Sequence, residues 1–158
     1  MTAARVGQGF DVHPWSDEAG RPLVLGGVVL PGERGLAGHS DADVVAHAVA
    51  DALLGAAGLG DIGTHFPDTD SRWRGADSLT LLGHVVGLVQ AEGWSVGNVD
   101  TTVVLEAPKL APHKAAMEER LAEVLGAPVS VKAKRSEGLG ALGRGEGAAC
   151  FAVALLFR

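Results

Sequence analysis

The sequence predicts a single α/β (α+β) domain over residues 1–158, with a mixed β-sheet covered by helices on one side plus a β-hairpin. Three observations predict it. Gly26-Gly27 separates two apolar triplets, Leu23–Leu25 and Val28–Leu30, which is a strong signal for a two-residue hairpin turn. Two helical stretches then precede a strand–helix–strand–strand series. The chain closes on an unbroken apolar run, Ala148–Phe157, which reads as a strand buried on both faces. A length of 158 residues suits one domain, and a chain of this size hides about two thirds of its unfolded surface.

Arg5–Val12 reads as the first strand, and Pro31–Gly38 as a loop after the hairpin. A helix follows, with Ser40 as its expected cap and Asp43 three residues on, a capping-box variant. It runs to about Ala57, where Gly58 can end it. Gly60–Gly75 reads as a polar loop, and Asp77–Glu92 as a second helix stopped by Gly93. Val99–Glu106 and Val129–Lys134 read as strands, with a third helix between them over Pro112–Leu125, ended by Gly126. Gly138–Gly147 reads as a glycine-rich loop.

Hydrophobic residues make up 47% and charged residues 20%, a globular composition. A net charge of −6 argues against a nucleic-acid binder, which needs a basic stripe, but leaves small anionic substrates open. Cys150 is the one cysteine, so an internal disulfide and a cysteine-based zinc site are both excluded. No apolar run reaches the roughly 18 residues of a membrane span, and Met1 to Phe10 has no apolar leader core, so no membrane partner and a cytoplasmic setting are expected.

Several residues carry chemistry. Asp11 and His13, two apart at a strand end, face the same side and present a carboxylate beside an imidazole, as a zinc ligand pair requires; solvated strand-end residues are the alternative. His47 stands among apolar neighbours, which suits a packed histidine equally well. Asp43 and Asp51, at i−4 and i+4, offer an acceptor for its second ring N–H. Two histidines and an aspartate leave a fourth tetrahedral position open, the pattern of a catalytic metal. His39, next to a helix start with free N–H groups, favours an anion there. Lys132–Glu137 is a basic strand end running into flexible glycines, suited to a diphosphate; Glu137 can ligate a hard cation such as Mg²⁺. Arg144 and Glu146 can equally pair with each other.

The order of the motifs is more specific than any one of them. Gly7-Gln8-Gly9-Phe10-Asp11-Val12-His13 is followed by His39-Ser40-Asp41-Ala42-Asp43 with His47, and by Asp51-Ala52-Leu53-Leu54-Gly55-Ala56. Gly60-Asp61-Ile62-Gly63, Phe66-Pro67-Asp68-Thr69-Asp70, Gly97-Asn98-Val99-Asp100, Ala107-Pro108-Lys109 and Gly143-Arg144-Gly145-Glu146-Gly147 come after. Over nearly the whole chain this series closely resembles the 2-C-methyl-D-erythritol 2,4-cyclodiphosphate synthases of the non-mevalonate isoprenoid pathway.

The resemblance implies a substrate, 4-diphosphocytidyl-2-C-methyl-D-erythritol 2-phosphate, whose 2-phosphate attacks the β-phosphate and releases CMP. It implies a homotrimer with active sites at subunit interfaces. Asp11, His13 and His47 match zinc ligands, and Asp11, Val12 and His13 also match the substrate-binding strand end. His39 and Ser40 match substrate contacts, with His39 near the transferring phosphate. Asp61, Ile62 and Gly63, with Phe66, Pro67, Asp68, Thr69 and Asp70, match the region that holds the methylerythritol. Leu105, Glu106, Ala107, Pro108, Lys109, Leu110 and Ala111, with Ala133, Lys134, Arg135 and Ser136, match the cytidine and phosphate pocket. Glu137 matches the ligand of a second divalent ion, Mg²⁺ or Mn²⁺, that bridges the phosphates, and Arg144 matches a position near the threefold axis.

Three positions depart from the pattern. Lys134-Arg135-Ser136 stands where the family often has three threonines. Arg135 therefore either stabilises charge in place of a threonine hydroxyl, the reading favoured here, or points elsewhere while its backbone N–H binds. Ala141 replaces a familiar phenylalanine, and His65 a familiar leucine. From the residues alone, a zinc-dependent phosphohydrolase and a nucleotide-binding oligomeric module remain open.

Overall fold

The computed structural model describes residues 3–158; Met1 and Thr2, part of the stretch read for a leader, lie outside the described residues. In chain order the elements are β1 (Ala4–Pro14), β2 (Leu23–Leu25), β3 (Val28–Leu30), α1 (Val44–Ala57), α2 (Ile62–His65), α3 (Ser78–Ala91), β4 (Ser95–Val104), α4 (Lys114–Leu125), β5 (Val129–Lys134), α5 (Gly140–Gly143) and β6 (Gly147–Phe157). The sheet runs β1-β6-β4-β5, antiparallel except for the parallel pair β4–β5, and β2–β3 form the expected separate hairpin.

Alternation gives β1 two unlike faces. Gly7, Gly9, Asp11 and His13 turn toward the helices, whereas Val6, Phe10 and Val12 turn away and are exposed. The two glycines set how close α1 lies. A Cβ at Gly7 would sit 1.9 Å from the Ala52 carbonyl oxygen, and one at Gly9 1.9 Å from that of Ala48. Backbone against backbone is thus the contact that seats α1 on β1, and it brings His47 over the strand end bearing Asp11 and His13. Along α1 only the stripe His47, Asp51 and Gly55 escapes burial.

The helix start differs from expectation. Asp43, not Ser40, caps α1, because its carboxylate accepts from Val45 N and Ala46 N. The same carboxylate accepts from Gly26 N at 2.8 Å and Gly27 N at 2.6 Å, which pins the hairpin turn to the helix. Burial pushes its carboxyl up to about 6, against the pull of those donors. Gly58 ends α1 in the left-handed conformation, as expected.

Three further differences are local. The loop Gly60–Gly75 contains α2 and a 3-10 turn over Ser71–Trp73, each capped by an aspartate, Asp61 and Asp70. The strand placed at Val99–Glu106 begins at Ser95 and passes a bulge at Gly97. The glycine-rich loop holds the short helix α5. More consequential is β6, expected to be buried on both faces. Ala148, Cys150, Ala152, Ala154 and Leu156 are buried under the helices, but Phe151, Val153, Leu155 and Phe157 are 36–46% exposed. Helices cover one side of the sheet; on the other, Ala149 is buried, but these four side chains have no such cover among the described residues.

Candidate active site

Asp11 and His13 come from the end of β1, and His47 from the open stripe of α1. Asp11 Oδ2 lies 2.9 Å from His13 Nε2 and 2.9 Å from His47 Nδ1, and the two ring nitrogens are 3.3 Å apart. Donors held about 2.0 Å from a tetrahedral ion lie about 3.3 Å from one another. These three residues are the one group of potential ligands that converges in this way among the described residues.

The hydrogen bonds behind the rings fix which nitrogen faces inward. His13 Nδ1 donates to the Ala37 carbonyl at 2.8 Å, leaving the lone pair of Nε2 toward Asp11. His47 Nε2 faces Ser78 Oγ at 2.9 Å and Ser40 Oγ at 3.1 Å. Ser78 donates its own proton to Asp41, so its oxygen accepts from His47. Three lone pairs then point at one spot, an arrangement that is unfavourable empty and suited to a borderline cation such as zinc. The expected acceptors for His47, Asp43 and Asp51, are committed elsewhere: Asp43 to four backbone N–H groups, Asp51 to Ile62 N at 2.7 Å. Ser78 and Ala37 carried no sequence signal for this role. They reach the histidines through tertiary folding alone.

Without a cation the three groups lean on one another. Burial raises the Asp11 carboxyl, but hydrogen bonds from His13 and His47 outweigh it and hold it well below the usual carboxylate range. Burial lowers the His47 imidazole, yet the Asp11 carboxylate beside it holds it above 6.5.

The triad opens into a cavity of about 510 Å³, lined also by His39, Ile62, Gly63, Phe66, Pro67 and Asp68. A larger cleft, about 820 Å³, lies between the Ser16–Pro22 segment and the hairpin and contains none of the triad. His39 Nε2 bonds the Asp70 carbonyl at 3.1 Å, tying the cavity's edge to the Phe66–Asp70 segment. Phe66 packs edge-on against Trp73, with ring centroids 5.0 Å apart. Asp61 accepts from Thr64 N, and the Asp70 carboxylate is engaged by Arg72, so both are spent locally. Thr69 is exposed on the same segment. Ser40 is buried with its hydroxyl on His47, and Val12 points to the opposite side of the sheet. The anion site expected at the start of α1 is not free, because Asp43 and Ser40 take up the N–H groups of Val45, Ala46 and Ala42.

The other predicted group lies at the ends of β4 and β5. Glu106, Pro108, Lys109 and Ala111 line a separate pocket of about 200 Å³ with Ala133, Lys134 and Arg135, over the buried Leu105 and Leu110. Ala107, joined to Pro108 by a cis peptide, is exposed beside it. Glu106 binds the two segments together, accepting from Ser136 N at 2.8 Å and Arg135 Nε at 3.2 Å. The Ser136 N–H, and after it the Arg135 guanidinium, hold its carboxyl below the usual range. Glu137 is exposed, with a left-handed φ of 56°. Arg144 pairs with Glu146 at 2.6 Å. Asp11 and Ala133 sit on one row of the sheet with two strands between them, a separation of about 14 Å at roughly 4.8 Å per strand. The triad's cavity and the pocket at the ends of β4 and β5 share no lining residue.

The YgbB family model matches residues 4–157. A 2-C-methyl-D-erythritol 2,4-cyclodiphosphate synthase from Bordetella petrii is 59% identical over 157 residues, covering 98% of this chain and 96% of the relative. The synthase of Pseudomonas putida is 58% identical over 96% of this chain and 98% of that one. Among solved structures, IspF from Plasmodium falciparum in complex with CDP is 33% identical, with a TM-score of 0.84 over 98% of this chain and 96% of that chain. The bifunctional IspDF from Campylobacter jejuni reaches a TM-score of 0.94 at 41% identity, over 99% of this chain and 43% of that longer one. The chain belongs to the YgbB family, the family of the 2-C-methyl-D-erythritol 2,4-cyclodiphosphate synthases.

Proposed function

We propose that the protein converts 4-diphosphocytidyl-2-C-methyl-D-erythritol 2-phosphate to 2-C-methyl-D-erythritol 2,4-cyclodiphosphate and CMP. The observation that carries the reading is the convergence of Asp11, His13 and His47 at the mouth of a cavity edged by His39, in a chain 59% identical to a synthase of that name. In this reaction a 2-phosphate oxygen bonds to the β-phosphorus, the bond from that phosphorus to the bridging oxygen breaks, and the α-phosphate leaves as CMP. The nucleophile is already ionised, so the protein needs no base or nucleophile of its own. It must fold a polyanion back on itself and neutralise it, which makes orientation and electrostatics the main contributions.

Asp11, His13 and His47 would hold zinc, and Glu137 offers the single carboxylate that suits Mg²⁺ or Mn²⁺ bound mainly by phosphate oxygens. Zinc, when bound, supplies a Lewis acid that polarises a phosphate oxygen. His39 presents a ring nitrogen to the transferring phosphate. The segment Ile62–Asp68 encloses the methylerythritol. Lys134, Arg135 and the backbone around Ala107 and Ser136 take the cytidine and its phosphates. Arg135 acts as the charge stabiliser, with Glu106 steering its guanidinium from behind.

The distance between the triad and the β4–β5 loops supports a homotrimer in which a neighbouring copy brings its loops over this chain's metal site. The bare outer face, with Val6, Phe10, Val12, Phe151, Val153 and Leu155, supports the same assembly, since a sheet face this apolar calls for a partner. A cytoplasmic setting belongs to this reading; no helix among the described residues is long and apolar enough to cross a membrane. Incubation with the cytidylyl substrate, zinc and magnesium tests it. Ring and CMP in equal amounts are expected, whereas open-chain phosphates would mark a hydrolase, and tight CMP binding without turnover a binding module.

A further inference from the structure

We propose that Arg21, which touches neither the cavity nor the triad, is a positioning residue for both imidazole ligands. The inference rests on the metal-site reading above. Arg21 lies just ahead of the hairpin, and its side chain is only 18% exposed. Its Nε donates to the Leu36 carbonyl at 2.6 Å, and its Nη2 donates to the carbonyls of Gly38 at 3.1 Å and Ser40 at 2.6 Å. The remaining terminal nitrogen reaches Glu18 at 3.5 Å.

The carbonyls that Arg21 does not take are the informative ones. Between Leu36 and Ser40 they alternate in direction. The Ala37 oxygen accepts from His13 Nδ1 at 2.8 Å, and the His39 oxygen accepts from Gly75 N at 2.8 Å. One short segment therefore has three carbonyls gathered on a single guanidinium and two pointing elsewhere. One of those two selects the tautomer and direction of a metal ligand. The same segment delivers the Ser40 hydroxyl to His47 Nε2 at 3.1 Å and places His39 at the cavity's edge. Arg21 thus holds, from outside the site, the backbone that orients His13, backs His47 and carries His39.

A guanidinium suits this work and an ammonium does not. Its donors form a rigid planar fork that meets several acceptors in fixed directions, whereas a lysine head is a compact point charge. Both ends of the segment have further anchors, since Ala37 N donates to the Pro14 carbonyl and Gly35 N to the Arg21 carbonyl, while Gly75 N donates to the His39 carbonyl and Asp41 N to that of Ala76. The carbonyls of Gly38 and Ser40 have Arg21.

The test compares zinc affinity, by competition with a chromophoric chelator, and the visible absorption of the cobalt(II)-substituted protein. The chains are the parent, Arg21→Met, Arg21→Lys and Arg120→Met, all in the full-length protein and all checked for folding by circular dichroism. Zinc binding in Arg21→Met is expected to weaken 10–100-fold, the range for losing a group that orients a ligand. The cobalt band should change in position or intensity, because freed imidazoles no longer keep one tetrahedral geometry. Arg21→Lys should move the same way by a smaller factor, and it decides the matter if Arg21→Met does not fold. Arg120→Met, on α4, should match the parent. A folded Arg21 variant with zinc affinity within twofold of the parent and an unchanged cobalt band overturns the inference. A parent chain that takes up neither zinc nor cobalt overturns the metal-site reading, and this inference with it.

Discussion

At the residue scale, the triad predicts opposite pH behaviour with and without metal. A histidine must be neutral to ligate, so protons compete with zinc, and at His47 they compete from above pH 6.5 because Asp11 favours the charged ring. Zinc affinity measured by chelator competition should therefore fall steadily from pH 8 to pH 6. In the metal-free protein the sign reverses. A histidine with a raised folded pKa adds stability below its unfolded value and loses it as pH rises through the folded one. Asp11, lowered by its partners after burial is overcome, keeps its share above the usual carboxylate range and loses it in acid. The melting temperature of the metal-free chain should thus not rise between pH 6 and 8; a rise would contradict the Asp11–His47 pairing. Arg135 gives a second test. Arg135→Ala should lower turnover tenfold or more without moving zinc affinity, and unchanged turnover would remove Arg135 from the chemistry. The converging triad was legible in spacing and motif order, since Asp11 and His13 are two apart on a strand. Their orienting partners were not. Ala37 acts through its backbone, and Ser78 stands 31 residues from His47 in the chain, so no local pattern marks either.

At the element scale, Gly9 links packing to the site. A Cβ there would overlap backbone atoms of α1, which cannot yield as a flexible side chain can. Overfilling a packed contact costs about 1–3 kcal/mol, so urea unfolding of Gly9→Ala should show at least that loss, with weaker zinc binding as α1 shifts from β1. Retained stability would mean that the close approach does not seat the helix. The elements read most accurately were those fixed by local chemistry: the β2–β3 hairpin by Gly26-Gly27, and the end of α1 by Gly58. The sequence does not separate Asp43 from Ser40 as the cap, because both are good capping residues. What decides between them is tertiary: Asp43 also holds the hairpin turn, and Ser40 is drawn to His47. The short helices α2 and α5 leave no sequence signal, because four residues show no periodicity.

At the scale of the whole molecule, β6 shows where a single sequence misleads. Continuous apolar character predicts burial on both faces, whereas Phe151, Val153, Leu155 and Phe157 stay partly exposed on the side away from the helices. The apolar residues on the other side fit the proposed trimer, which predicts that Phe10→Glu, beside Phe151 on that face, sediments as a smaller species. It should keep its zinc and lose most turnover; an unchanged assembly would place the interface elsewhere. The central claim, that a metal held by Asp11, His13 and His47 supports ring closure, is tested most directly by following ³¹P resonances of the cytidylyl substrate. Chelator-stripped protein is titrated with zinc at fixed magnesium, beside a His47→Ala chain. Cyclic diphosphate should form in proportion to bound zinc, with CMP in equal amount, and His47→Ala should form little at any zinc level. Ring formation at full rate in the stripped protein or in His47→Ala, or hydrolysis to open-chain phosphates, would contradict it.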